Sequence, residues 1–214
     1  MKKKVIIFAI IILLLAAGII FWWWQGQPRL RQLTFELGGD WTPRFSPDGE
    51  KIVFISDRTG NDEIWIMNYD GTNQRQLTFN EEKRDNFPSF SPDGQEIVFS
   101  SVEIGSLNLN WDIWIMNRDG TNQRQLTFDK DIDAFPFFSP DGKEIVFTSE
   151  RGDVKDDILV FSHIWIMNRD GTNQRQLTFN KRFDANPSFG PSGKEIIFDS
   201  IREDDGNIWL LKLK

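Results

Sequence analysis

Ile113–Phe128 reads IWIMNRDGTNQRQLTF, and Ile164–Phe179 repeats the same sixteen residues. Ile64–Phe79 departs from them only at Tyr69, and Ile208-Trp209-Leu210-Leu211 is a fourth, degenerate copy. The tryptophans at 65, 114, 165 and 209 therefore recur at periods of 49, 51 and 44 residues. Periods of about 40–50 residues are those of propeller blades, which bury their faces only against their neighbours.

Working outward from that string, each repeat divides into four short strands. The first is Pro-x-Phe, at Pro43-Arg44-Phe45, Pro88-Ser89-Phe90, Pro136-Phe137-Phe138 and Pro187-Ser188-Phe189. A proline donates no ladder hydrogen bond, so it suits the edge strand beside a central channel. A turn follows, Ser-Pro-Asp-Gly at 46–49, 91–94 and 139–142, and Gly-Pro-Ser-Gly at 190–193. Pro presets φ, Asp bonds its own backbone and Gly takes positive φ. The second strand is Ile-Val-Phe (Ile-Ile-Phe in the fourth copy) and the third is Ile-Trp-Ile-Met. These apolar runs do not alternate, so both faces are expected to be buried, as in stacked blades. Asp-Gly-Thr-Asn is a hairpin turn, and Arg-Gln-Leu-Thr-Phe reads as an outer, partly wet fourth strand.

Arg31-Gln32-Leu33-Thr34-Phe35 is a fourth strand without three before it, and Ile208 to Lys214 is a third strand without a fourth after it. The expected fold is all-β: a propeller of four four-stranded blades, closed by pairing of these N- and C-terminal strands. Closure removes edges that invite association. A closed monomer is expected. The alternative is a homodimer in which two open arcs make an eight-blade ring.

Val5 to Trp24 is an uninterrupted apolar run of 20 residues, preceded by Lys2, Lys3 and Lys4 and ended by Trp22, Trp23 and Trp24. A helix of that length spans roughly 30 Å, and the lysines hold its N-terminus in the cytoplasm. The domains expected are thus a 1–28 membrane anchor with a short linker, and a 29–214 propeller outside the cytoplasm, periplasmic or extracellular. A signal peptide cut near Ala16-Ala17-Gly18 is the rival reading.

Composition limits the function classes. Without the three N-terminal lysines, 22 basic residues face 32 acidic ones, which argues against nucleic-acid binding. The chain has no Cys, so disulfides, thiolate nucleophiles and Cys-ligated metals are excluded. No Gly-x-Ser-x-Gly elbow is present, and the sole histidine, His163, starts a third strand. No catalytic residue, metal site or cofactor is expected.

The motifs Arg-Gln-Leu-Thr-Phe, Pro-x-Phe-Ser-Pro-Asp-Gly, Ile-Val-Phe-x-Ser and Ile-Trp-Ile-Met-Asn together resemble the repeat of the TolB-type propeller family, which includes the Tricorn and dipeptidyl-peptidase propellers. The resemblance covers roughly residues 29 to 214 and implies the propeller fold. TolB itself is periplasmic, belongs to the Tol–Pal system and engages protein partners. The resemblance thus implies a non-enzymatic, membrane-anchored binding or scaffolding module with a protein or peptide partner. A small-ligand or carbohydrate-sensing propeller, or the vestigial propeller of a peptidase-like protein, are the alternatives.

Two sets of residues are candidates for that role. The connections between second and third strands vary most, and the long ones carry Leu107, Leu109 and Trp111, and Ile158, Leu159 and Phe161. Variable loops on a rigid scaffold suit partner binding, although they also suit a protruding hairpin. Asp40, Asp85, Asp133 and Asp184 each lie three residues before the first-strand Pro. In a ring they would repeat around one channel mouth, either as a cation site or as caps of their own loops.

Overall fold

The computed structural model describes residues 30–105, 110–151, 161–179, 183–202 and 205–213. Thr34–Lys214 make one compact unit and Met1–Leu33 another. The expected anchor, Val5 to Trp24, lies outside the described residues. Among the described residues no helix is long and apolar enough to cross a membrane.

Among the described residues of the larger unit the regular elements are all strands. β1 (Asp40–Phe45), β2 (Lys51–Ser56), β3 (Glu63–Asn68) and β4 (Arg75–Gln76) form the first antiparallel sheet in that order. β5 (Lys83–Phe90), β6 (Glu96–Glu103), β7 (Trp111–Asn117) and β8 (Arg124–Gln125) form the second. β9 (Asp133–Phe138), β10 (Glu144–Ser149), β11 (His163–Asn168) and β12 (Arg175–Gln176) form the third. β13 (Phe183–Phe189), β14 (Glu195–Arg202) and β15 (Asp205–Lys212) form a fourth sheet of three strands.

The non-alternating apolar runs become strands packed on both faces. In the second sheet, Val98 faces the third sheet while Ile97 and Phe99 face the first. Three apolar layers result. Val53, Ile55, Ile64, Ile66 and Leu77 meet Phe90, Ile97, Phe99 and Met116. Val98, Ile113, Ile115 and Leu126 meet Phe138, Ile145, Phe147 and Met167, and the third layer joins Val146, Ile164 and Ile166 to Phe189, Ile196 and Phe198. Burying one such side chain contributes about 1.5–3 kcal/mol, so each layer is a principal source of stability.

Each first strand is bulged at the residue before its proline. Thr42, Phe87, Phe135 and Asn186 hold φ of 49°, 55°, 57° and 52°, and the ladder register shifts there in all four sheets. The left-handed region is uncommon for phenylalanine, and a residue before proline ordinarily sits in the β region. The bulge re-aims the side chain, which is what such features do beside sites.

The fourth strands are shorter than expected, two residues rather than five. Thr78, Thr127 and Thr178 supply the reason. Each Oγ1 accepts the N–H of Ile64, Ile113 or Ile164 at 2.9 Å, replacing a strand carbonyl and ending the ladder. Leu77, Leu126 and Leu177 still donate to the carbonyls of those isoleucines.

The expected four-by-four count needs correcting at the fourth sheet, which has three strands. Arg31–Phe35 carries no strand assignment. Pairing it with β15 as a closed ring requires the first and fourth sheets to abut. Among the described residues none of their strands touch, whereas consecutive sheets do. The ends show this in their exposure. Ile197, Ile208 and Leu210 are 45%, 71% and 52% exposed, against at most 3% for Val53, Ile64, Ile66 and their counterparts in the second and third sheets. At the other end Phe45 is 66% exposed, although Ile52, Phe54 and Met67 on the same face are buried.

Candidate partner-binding face

The antiparallel order puts the second-to-third connections and the entries to the first strands on one side of the unit. The Ser-Pro-Asp-Gly and Asp-Gly-Thr-Asn turns lie on the other. Of the six candidate loop residues, Leu107, Leu109, Ile158 and Leu159 lie outside the described residues. Trp111 opens β7, and its ring stands 6.3 Å from that of Phe87. Phe87 in turn lies 4.2 Å from Phe135. The bulges of β5 and β9 thus bring two aromatic rings together, and the tryptophan that opens β7 joins them. Phe161 is half-buried ahead of β11. Between the inner strands a groove of about 270 Å³ is lined by Arg44, Phe87, Phe135, Asn186 and the prolines beside them.

The four repeated acids take a different position. Asp40, Asp85, Asp133 and Asp184 stand opposite Ser56, Ser101, Ser149 and Ser200 in the ladder. Asp85, Asp133 and Asp184 are at most 3% exposed. Nearby threonine hydroxyls favour the charged form of three of them, Thr34 for Asp40, Thr78 for Asp85 and Thr127 for Asp133, although the Thr78 hydroxyl donates to Glu63 and that of Thr127 to Asp112. The acids are thus spaced one per blade. Among the described residues no three His, Asp or Glu side chains converge closely enough to hold a metal ion.

What sits beside those acids was not foreseen from the motifs. Arg58 donates from Nε to Ser56 Oγ at 2.8 Å, from Nη1 to Gln74 at 2.7 Å and from Nη2 to Asp40 at 2.8 Å. Its guanidinium carbon lies 4.6 Å from the Trp65 ring. Arg151 repeats this in the third sheet. Its Nε donates to Ser149 and its Nη1 to Gln174; Nη2 lies 3.3 Å from Asp133; and the guanidinium carbon is 4.3 Å from Trp165. The signal in the sequence is Ser-x-Arg after each second strand, at Ser56-Asp57-Arg58, Ser149-Glu150-Arg151 and Ser200-Ile201-Arg202. The second repeat breaks it with Ser101-Val102-Glu103.

The charges follow from these neighbours. Burial alone would raise the Asp40 carboxyl, but the Arg58 hydrogen bond and the Ser56 and Thr34 hydroxyls hold it below the usual range. Asp133 is more deeply buried, which pushes it up to about 6 despite Arg151. Burial also raises Asp85, where the hydroxyls of Ser101 and Thr78 and the charge of Lys83 only partly offset it. Asp112, at the start region of β7, is pushed to about 6 by burial. Glu63, which opens β3, is raised for the same reason, although it accepts from Thr78 Oγ1 and the Asn80 N–H. His163 holds the equivalent place in β11, opposite Ser149, and is 3% exposed.

On the constant-turn side, ion pairs tie the first and second turns to the next sheet. Arg118 reaches Asp48 at 2.9 Å, and Arg169 reaches Asp93 at 3.1 Å and Glu96 at 2.7 Å. Asp93, held first by the Ser91 hydroxyl and the Gln95 N–H, falls to about 2.

Comparison with known proteins agrees with this geometry. The family model described as the TolB beta propeller domain matches residues 20–108 and 83–162. Among curated proteins, the Tol-Pal system protein TolB of Bordetella pertussis is 41% identical over 46 residues, covering 22% of this chain. The chain spans only a tenth of that relative's length. Among solved structures, TolB from Acinetobacter baumannii superposes with a TM-score of 0.72 at 24% identity, covering 88% of this chain and 44% of that one. An oligogalacturonate lyase in complex with manganese gives 0.61 at 22% identity, covering 82% of this chain and 49% of that one. Likenesses at this identity concern the fold. The family match spans most of the repeats, and the chain belongs to the TolB beta propeller domain family.

Proposed function

We propose that this chain is a non-enzymatic binding module, anchored in a membrane by Val5 to Trp24, that presents its 29–214 propeller outside the cytoplasm to a protein or peptide partner. The observation that carries the reading is the aromatic group of Trp111, Phe87 and Phe135, built from the start of β7, beside a variable loop, and two strained bulges. Aromatic anchors on a rigid scaffold are the usual centre of a protein interface. The likeness to a protein named for the Tol-Pal system supports a partner of that kind. Lys2 to Lys4 support an outward-facing propeller.

Ring completion by Arg31–Phe35 belongs to the same reading. The Thr34 hydroxyl lowers the Asp40 carboxyl as that of Thr78 lowers Asp85, which supports placing that segment as the fourth strand ahead of the first sheet. The test is capture of envelope proteins by the full chain, compared with a Trp111→Ala, Phe87→Ala double variant and with forms lacking residues 105–109 or 152–160. Loss of a captured protein in these variants, with an unchanged melting temperature, is expected. Equal capture by all forms would overturn the loop side as the docking face.

A further inference from the structure

The second sheet differs from its neighbours at one place. In the first and third sheets a guanidinium carbon stands 4.6 and 4.3 Å from the third-strand tryptophan ring, held by a Ser hydroxyl, a Gln carbonyl and the repeated Asp. Every group that holds it has a counterpart in the second sheet: Trp114, Ser101, Gln123 and Asp85. Only the arginine is changed, to Glu103.

The consequence is visible in the structure. A cavity of about 330 Å³ opens there, lined among others by Lys83, Ser101, Glu103, Asp112, Trp114 and Lys130. Asp85 is 3% exposed, and its Oδ1 has no hydrogen-bond partner. Asp133 in the third sheet also lacks hydrogen-bond partners but has the Arg151 guanidinium at 3.3 Å, a neighbour whose place in the second sheet is taken by no arginine. Lys83 places its ammonium 4.2 Å from the Trp114 ring, so a cation does sit on that face. A lysine is a single point donor on a flexible stem, and it cannot reproduce the planar fork. Glu103 and Asp112 line the cavity together with Lys83 and Lys130.

We propose that the second sheet binds a guanidinium, the side chain of an arginine presented by the partner, in the place that Arg58 and Arg151 fill in the neighbouring sheets. The guanidinium displaces Lys83 from the Trp114 face, stacks on the indole, and donates to Asp85 and Glu103. Stacking and bidentate pairing both select arginine over lysine. This deepens the reading of the loop side as the docking face and rests on it for the source of the arginine.

The experiment is titration of the full chain in detergent with L-arginine amide, read by calorimetry, against L-lysine amide and the neutral L-citrulline amide. Arginine amide should bind saturably and at least about tenfold more tightly than either comparator. Glu103→Arg should supply the internal guanidinium, abolish that binding and raise or preserve the melting temperature. Lys83→Gln should tighten binding, because no lysine has to be displaced. Absence of saturable arginine binding, or binding unaffected by Glu103→Arg, overturns the proposal. Asp85→Asn is a weaker probe, since it also alters a buried junction. The small-molecule titration is independent of partner capture. Arginine binding without loop-dependent capture therefore sinks only the docking reading, and the converse sinks only the guanidinium site.

Discussion

At the scale of single residues, the repeated threonine and the repeated acids do more than their polarity suggests. Thr127 is fully buried, and its Oγ1 accepts the Ile113 N–H at 2.9 Å. Thr127→Val keeps the volume and removes the acceptor, leaving a buried donor unsatisfied. A loss of about 1–3 kcal/mol in urea unfolding is expected, with Thr127→Ser losing less. The acids set the pH profile. Asp112 and Asp133 lie at about 6, and Glu63 and Asp85 are raised as well, all through burial. A folded state with raised carboxyl pKa values binds protons more tightly than the unfolded chain. Stability from these groups is therefore lost as pH rises through about 6. Asp48, Asp93, Asp119, Asp141 and Asp170 are lowered by hydrogen bonds from neighbouring hydroxyls and amides, so their contribution is lost as pH falls below about 4. The melting temperature should peak near pH 4, fall as pH rises from about 4 to 6 and level off above that, and fall again toward pH 3. Asp133→Asn should flatten the upper limb; a melting temperature that climbs steadily from pH 5 to 7.5 would contradict the assignment.

At the scale of elements, the bulges decide what the inner strands present. Phe135 holds φ of 57° and Asn186 holds 52° at the same place in the next sheet. Asn tolerates that region best, and β-branched residues are disfavoured there, although Thr42 holds it in the first sheet. Phe135→Asn should stay within about 1 kcal/mol, losing only the contact with Phe87. Phe135→Val should cost about 1–3 kcal/mol more, measured by the same unfolding curves. The strand runs and turns behind these elements were legible because period, apolar continuity and turn chemistry coincide at Ile-Val-Phe, Ile-Trp-Ile-Met and Ser-Pro-Asp-Gly. The bulge was not legible, because Thr42, Phe87, Phe135 and Asn186 share no chemistry; only the following proline repeats. The short fourth strand was hidden for another reason. Leu-Thr-Phe alternates like a strand, yet the threonine hydroxyl ends the ladder. The guanidinium site lay in a repeat that the eye passes over, since Ser-x-Arg appears only once copies are aligned past the second strand. Its break at Glu103 is informative only beside the intact copies.

At the scale of the whole molecule, the question is whether the fourth sheet meets a first sheet, its own or that of a second copy. Each internal junction seats the turn proline of one sheet beside the turn glycine of the next: Pro47 by Gly94, Pro92 by Gly142 and Pro140 by Gly193. A Cβ on Gly49 would meet nothing within 4 Å, and Pro191 is exposed. The ion pairs carry the more telling pattern. Arg118 with Asp48 and Arg169 with Asp93 link consecutive sheets. At a junction of the fourth sheet with a first, the corresponding positions are Ser192 and Tyr69, so both charges are absent together. At the junction of the third sheet with the fourth only one is changed. Leu213 stands for the arginine, and Asp141 turns to Lys143 of its own turn at 3.5 Å. A paired loss is what a real contact would select, because either charge alone would face an uncharged partner. Tyr69→Arg and Ser192→Asp should therefore be coupled. Each single change should be near neutral or slightly destabilising, and the double variant should recover about 0.5–1 kcal/mol in a double-mutant cycle. If that coupling persists on dilution the contact is within one chain, and if it disappears as a dimer dissociates it is between copies. A coupling of zero at every concentration would leave the fourth sheet open, with β15 and the exposed Ile197, Ile208 and Leu210 turned to some other surface.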